Sequence, residues 1–267
     1  MQIETNSPNH PDFLFEDLPL EWLMTRWEKY ALQSLLMYLK PKISLEIGTF
    51  RGGSLQMLSR FSSHVVSVDI LDEPRQKLSG LFKNVEFRVG DSTVLVPRLI
   101  SELQTLPDAL GFVLIDGDHT TEGVRRDIEN VLRYRPKETL YIIMHDSFHP
   151  PCRAGMLSAK WADCPFVHYV EVDFVPGVYF QNGFGTIQAG SMYGGFALAK
   201  LEPVERRHDL EIGQVQLGLY QSTLANAASV LKKTEKPPQS GLAEILTRLR
   251  RVLRPRARLK SFLSKVK

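Results

Sequence analysis

Between residues 42 and 147 short apolar runs alternate with stretches of helical spacing. Residues 43–47 (ISLEI), 64–69 (HVVSVD), 85–89 (VEFRV), 111–115 (GFVLI) and 139–144 (TLYIIM) read as five buried strands. Residues 54–61, 74–81, 93–103 and 121–134 read as the helices between them, the last with Val124, Ile128, Val131 and Leu132 on one face. Such alternation predicts an α/β fold, a doubly wound and mostly parallel sheet covered on both faces. Upstream, Leu23, Trp27, Tyr30, Ala31, Leu35, Tyr38 and Leu39 repeat at helical spacing up to Pro41, so Trp22 and Trp27 are expected in the core. Downstream, residues 167–174 and 195–201 are β-like and suit an antiparallel C-terminal strand pair, joined by a Gly-rich stretch. Residues 214–231 read as a helix and 232–240 as a linker. The expected organisation is an N-terminal irregular segment and helix (1–41), the sheet domain (42–203), a helical extension (204–231) and a helical tail (232–267).

Composition bounds the class. With 43% hydrophobic and 24% charged residues the chain is neither disordered, collagen-like nor a coiled-coil rod. Two cysteines, Cys152 and Cys164, are too few for a disulfide framework and suit reduced thiols in a cytoplasmic protein. No basic patch followed by an apolar run opens the chain, and no stretch reaches the ~20 apolar residues that span a bilayer. The formal net charge of +3 is a sum of unlike parts. Residues 1–231 hold 21 basic and 28 acidic side chains, a net of −7; residues 232–267 hold 12 and 2, a net of +10.

In an open parallel sheet, ligands bind beyond the carboxyl ends of the strands, where strand order reverses. Here those ends are polar: Glu46 to Ser54 (EIGTFRGGS), Asp69, Gly90-Asp91-Ser92, Asp116-Gly-Asp118-His119 and His145-Asp146-Ser147. Helix capping accounts for one such carboxylate at a time, not for the set. Gly48, Gly52 and Gly53 let the backbone pass close to a ligand, and the amides that open the next helix suit a carboxylate or phosphate. An acid at Asp69 suits a ribose diol. Dinucleotide and S-adenosylmethionine sites share these features, but the G-x-G-x-x-G spacing is absent and so is a Walker loop.

The blocks EIGTFRGGS (46–54), Val68-Asp69, IDGDHTTEGV (115–124) with Asp127, and His145-Asp146 resemble the class I S-adenosylmethionine-dependent methyltransferases. More narrowly they resemble methyltransferase family 24 and its catechol and sugar O-methyltransferase relatives. The resemblance implies a Rossmann-like methyltransferase fold with S-adenosylmethionine as cofactor. It places Glu46 and Gly48 by the methionine end, Ser54 at its carboxylate, Asp69 at the ribose, Asp91 and Ser92 by the adenine, and counts Gly52 and Asp116 among the cofactor-binding residues. It makes Asp116 and Asp146 the acids of a divalent-metal site. His145 stands where that branch often has an acid, so a complete metal triad does not follow from the motif. Mg²⁺ prefers oxygen ligands; with His145 as a ligand, manganese, iron or zinc fits better, and Asp118 is a spare acid. His145 as a strand-end core histidine is the competing reading.

A hydroxyl acceptor gains from losing its proton during methyl transfer. His119 stands three residues after Asp116, where the catechol relatives keep a basic catalytic residue, and His149 is the second candidate base. Arg153 and residues 174–193 lie where relatives shape the acceptor pocket; His64, at the opposite strand end, reads as structural. The expectation is O-methylation of a small-molecule or sugar hydroxyl. A nucleic-acid methyltransferase is disfavoured, because Asp-Gly-Asp-His replaces the Asn/Asp-Pro-Pro-aromatic loop such enzymes commonly use. A non-catalytic, membrane-associated S-adenosylmethionine-binding protein is the other alternative.

In the tail, Leu242, Ile245, Leu246, Leu249, Val252 and Leu253 repeat at helical spacing among Arg248, Arg250, Arg251 and Arg254. A basic amphipathic helix suits the anionic inner membrane face. Packing on the body, an oligomer contact and a nucleic-acid contact stay open.

Overall fold

The computed structural model describes residues 18–185 and 187–235. The irregular segment 1–17 and most of the basic tail, including its amphipathic repeat, lie outside the described residues. The chain runs α1 (Arg26–Leu39), β1 (Ile43–Ile47), α2 (Gly53–Phe61), β2 (His64–Asp69), α3 (Glu73–Leu78), β3 (Val85–Val89), α4 (Ser92–Thr105), β4 (Leu110–Ile115), α5 (Thr121–Val131), β5 (Leu140–His145), α6 (Pro150–Ser158), a 3₁₀ turn (Trp161–Asp163), β6 (Val167–Val175), β7 (Val178–Phe180), β8 (Ser191–Tyr193), β9 (Phe196–Leu201), β10 (Ile212–Gly213) and α7 (Leu217–Glu235).

The main sheet has eight strands in the order β10-β6-β9-β5-β4-β1-β2-β3. The five strands β3, β2, β1, β4 and β5 are parallel. β9 runs antiparallel to both β5 and β6, which is the expected antiparallel finish. Order reverses between β1 and β4, and that switch point fixes where a ligand can enter.

Alternation along each strand divides the core. Ile43, Leu45 and Ile47 of β1 face Val96, Leu99 and Ile100 of α4 and Val124 and Ile128 of α5. On the opposite face Phe112 and Leu114 of β4 pack with Leu32 and Leu36 of α1 and Leu55 and Leu58 of α2. Glu46 belongs by parity to that second face, beneath α2.

Four expectations are corrected. The first helix starts at Arg26 rather than residue 22, because Thr25 caps it. Its buried face runs through Glu28, Leu32 and Leu36, one position from the predicted stripe, leaving Trp27 71% exposed and Tyr38 on the surface; neither Trp27 nor Trp22 is a fully buried core residue. α6 follows strand five, where no helix was expected; Pro150 and Pro151 occupy its first turn, where proline is tolerated. The sheet does not end at residue 203, since β10 adds a parallel edge beside β6, and α7 continues through Glu235 into the expected linker. The Gly-rich connection forms a separate hairpin, β7–β8. α7 closes over it through Tyr220 and Ala227 against Met192 and Phe148.

Candidate active site

A cavity of about 890 Å³ opens at the switch point. Gly48, Ser54, Asp69, Asp91, Ser92, Asp116, His119, His145 and Asp146 line it, so most of the candidate residues converge on one space.

The nucleotide side is built from turns. Gly48 has φ +95°, and a Cβ there would lie 2.1 Å from the Asp116 carbonyl oxygen, so only glycine lets β1 and β4 end this close together. Asp69 accepts hydrogen bonds from the Thr49 and Phe50 amides at 3.0 and 2.9 Å, and from Leu71 N at 2.8 Å. It therefore shapes the glycine loop as well as lining the cavity. Asp91 caps α4, accepting from Thr93 N at 2.8 Å, while still facing the cavity; capping and lining are one arrangement.

Two cofactor candidates stand elsewhere. Glu46 does not reach the cavity. It is fully buried under α2, where Ser54 Oγ and Ser67 Oγ each donate to its carboxyl at 2.6 Å. Burial pushes this carboxyl up to about 8, against those two hydrogen bonds, and the charges of Asp116 and Asp69 push the same way. Gly52 packs against Leu78 and Leu20 in a left-handed conformation and turns the chain into α2.

On the acceptor side, histidines alternate with carboxylates. His145 Nδ1 lies 2.9 Å from Asp116 Oδ1, and its Nε2 lies 2.9 Å from Glu28 Oε1. His119 Nε2 lies 3.3 Å from Asp116 Oδ1, and its Nδ1 lies 3.2 Å from Asp146 Oδ2. Burial alone would lower the pKa of His145; the Asp116 charge and the hydrogen bonds to Asp116 and Glu28 outweigh it and hold the ring charged. Asp116 is likewise kept far below the usual carboxylate range, since the two histidines overcome its desolvation. The hydrogen bond to Asp116 raises the pKa of His119, against burial. Asp146 has φ +62°, a left-handed conformation rare outside glycine, and accepts from the Gly194 amide. That turn brings its carboxylate back over the strand ends.

The reading of His145 as a core histidine is thus replaced by a bridge between two carboxylates. Its Nδ1 is 3.9 Å from Asp146 Oδ1, and ligand atoms of Asp116, His145 and Asp146 lie within 4.8 Å of one another. Two carboxylates and one imidazole form a donor set that fits a divalent transition metal better than Mg²⁺. Asp118, the spare acid, is occupied at the start of α5, accepting from Thr120 N at 2.8 Å and Thr120 Oγ1 at 3.0 Å.

His149 is outside the cavity lining: its Nδ1 contacts Cys152 Sγ at 3.2 Å and its ring stacks on Tyr193. Arg153 is buried, paired with Asp173 at 2.6 Å and bonded to Gln214, with its guanidinium over the Tyr220 ring. It does not line the cavity. Of residues 174–193, Val178, Phe180, Ile187 and Tyr193 do line the cavity, and Trp22 faces them from the N-terminal segment. Among the lining residues that were not anticipated are Trp22, Arg126 and Glu28. For Glu28 a signal existed, because Thr25-x-x-Glu28 is a capping-box pattern.

Comparison with known proteins adds the following. Residues 45–147 match methyltransferase family 24, described as a methyltransferase domain. An uncharacterised protein of Acanthamoeba polyphaga mimivirus is 27% identical over 154 residues, which cover 54% of this chain and 65% of that protein's length. An O-methyltransferase from Bacillus cereus in complex with S-adenosylhomocysteine is 18% identical with a TM-score of 0.47, covering 71% of this chain and 86% of that one. The O-methyltransferase TomG from Streptomyces achromogenes, in complex with S-adenosylmethionine, is 17% identical with a TM-score of 0.48, covering 71% and 85%. The resemblance read from the strand-end motifs is borne out over residues 45–147.

Proposed function

We propose that this chain is an S-adenosylmethionine-dependent O-methyltransferase acting on a hydroxyl of a small-molecule or sugar acceptor. The observation that carries this reading is the convergence, in one cavity, of the glycine loop with Asp69 and Asp91 on one side and the His119–Asp116–Asp146 cluster on the other.

The cofactor supplies an electrophilic methyl group on a sulfonium. The first-turn amides of α2, at Gly53 and Ser54, suit its carboxylate. Asp69 suits the ribose hydroxyls, and Asp91 and Ser92 the adenine. His119 is half exposed, and its contacts to Asp116 and Asp146 are at the long end of hydrogen-bonding range. Exchanging one of them for an acceptor hydroxyl costs little once the ring has given up the proton on that side; the neutral nitrogen then takes the hydroxyl proton as the oxygen–carbon bond forms and the methyl–sulfur bond breaks, leaving S-adenosylhomocysteine. Asp116 and Asp146 then stabilise the charged ring. Asp116, His145 and Asp146 would hold a divalent cation, which when bound lowers the pKa of the acceptor hydroxyl and fixes its direction. Trp22, Phe180 and Tyr193 supply flat apolar walls that orient the acceptor and exclude water.

Calorimetry with S-adenosylmethionine, with and without Mn²⁺ or Mg²⁺, followed by an S-adenosylhomocysteine release assay over a panel of hydroxyl acceptors, tests this. Cofactor binding in the micromolar range and turnover on a hydroxyl acceptor are expected. Failure to bind the cofactor removes the enzyme reading; binding that ignores divalent cations removes only the metal.

A further inference from the structure

Glu28 lies on α1, outside the segment that matches the methyltransferase domain. As the N3 residue of the capping box it needs one carboxylate oxygen, and Oε2 serves there, accepting from Thr25 N at 2.5 Å. Capping-box glutamates work at the solvated ends of helices, yet this carboxylate is completely buried. Its second oxygen faces inward. Oε1 accepts from His145 Nε2 at 2.9 Å and from the Gly195 amide at 2.6 Å. Burying a carboxylate is costly without such partners, so the helix cap alone does not account for its placement.

The opposite nitrogen of the ring, Nδ1, points to the side where Asp116 and Asp146 stand. An imidazole that gives one N–H to a carboxylate presents the lone pair of its other nitrogen on the far side. Metal-ligating histidines are commonly oriented in this way by an outer carboxylate, which fixes the tautomer and strengthens the donor. We infer that Glu28 is a positioning residue, which holds His145 as the Nε2–H tautomer and so presents Nδ1, with Asp116 and Asp146, to a divalent cation. This rests on the metal reading above and deepens it. When a cation takes Nδ1, the proton on that side leaves and the Nε2–H bond to Glu28 stays. The same carboxylate holds the Gly195 amide beside Gly194, whose own amide bonds to Asp146, so one side chain of α1 steadies two of the three donors.

The test uses the full chain and reads Mn²⁺ binding by calorimetry, alongside melting temperature, S-adenosylmethionine affinity and the ¹⁵N shifts of His145. Glu28→Gln keeps a carbonyl oxygen for the contact but loses the charge. It should weaken Mn²⁺ roughly 10–100-fold while cofactor affinity stays within about threefold. Thr25→Ala removes the other half of the cap and leaves Glu28 against His145; it should lower the melting temperature without that loss of Mn²⁺ affinity. Wild-type ¹⁵N shifts with Mg²⁺ or Zn²⁺ present should report a protonated Nε2 and a bare Nδ1. If the wild type binds no divalent cation, the metal reading and this inference fall together. If the wild type binds Mn²⁺ and Glu28→Gln binds it equally, or Thr25→Ala weakens it as much, Glu28 is only a cap. Should Glu28→Gln not fold, the wild-type shifts decide: a proton on Nδ1 in the metal-bound protein overturns the inference.

Discussion

Replacing Glu46 by glutamine should make the protein more stable at alkaline pH while leaving the cofactor site intact. The carboxyl is fully buried and titrates at about 8, against an ordinary value of 4.5, because ionising it under α2 costs solvation and adds a charge near Asp116 and Asp69. A carboxyl whose pKa is raised on folding binds its proton more tightly in the folded state. Its contribution is complete below about 4.5, declines as pH rises, and is gone once pH passes about 8. At about 1.36 kcal/mol per pH unit, the wild type loses roughly 2.7 kcal/mol between pH 6 and pH 9 on this account. The glutamine has no proton to lose. It accepts from one serine and donates to the other, and Ser67 can turn its own proton to Thr49 Oγ1, 2.7 Å away. Since 1 kcal/mol moves the melting temperature of a chain this size by about 2–4 °C, the variant should gain roughly 5–11 °C on the wild type over that range. Thermal melts of both proteins from pH 6 to pH 9 measure the gap, because other titrating groups cancel in the difference. Parallel profiles would refute the reasoning. So would a large loss of S-adenosylmethionine affinity in the variant, since Ser54 should stay in place.

His119→Ala should lower turnover about 10²–10⁴-fold with cofactor affinity within about threefold; steady-state kinetics and calorimetry check this, and loss of affinity with turnover preserved would reject the base assignment. Arg153→Ala leaves Asp173 as an uncompensated buried charge and should cost about 3–5 kcal/mol in chemical denaturation; a loss below about 1 kcal/mol would show that water reaches the site. A chain ending at Glu235 should bind S-adenosylmethionine like the full chain but lose flotation with phosphatidylserine vesicles at low salt, where each Lys or Arg contributes about 1 kcal/mol. Equal flotation of the two chains would remove the tail from membrane binding.

The parallel core was legible because its signals are local: five apolar runs, each closed by a polar residue, predict strands whose bounds the structure repeats within a residue or so. The polar ends identified the cavity for the same reason, since strand ends in such a sheet share one edge. What escaped depends on partners distant in sequence. Glu46 lies on a strand end like Asp116, but alternation sends it under α2, and only the burial of Ser54 and Ser67 shows where its carboxyl goes. Arg153 looks like a pocket cation until Asp173, twenty residues on, takes it. Glu28 meets His145 across 117 residues of chain, and no spacing rule encodes that contact. The shift of one position in the buried face of α1 is likewise set by distant partners, since Glu28 turns inward to His145 while Leu32 and Leu36 pack under the sheet.

Among the described residues the hairpin β7–β8 forms a two-stranded sheet of its own, apart from the eight-stranded one. It joins the body through Gly177, Gly194 and Gly195, each packed so closely that a Cβ would meet neighbouring atoms at 3.0 Å or less. Three of the cavity-lining side chains, Val178, Phe180 and Tyr193, ride on it. The molecule is therefore modular in the sense that matters for divergence. Under the proposed function, this hairpin carries part of the wall that meets the acceptor, while the strand-end turns and the histidine–carboxylate cluster stand on the main sheet. A different hairpin grafted between Gly177 and Gly194 should, under that proposed function, change the acceptor and leave S-adenosylmethionine binding in place.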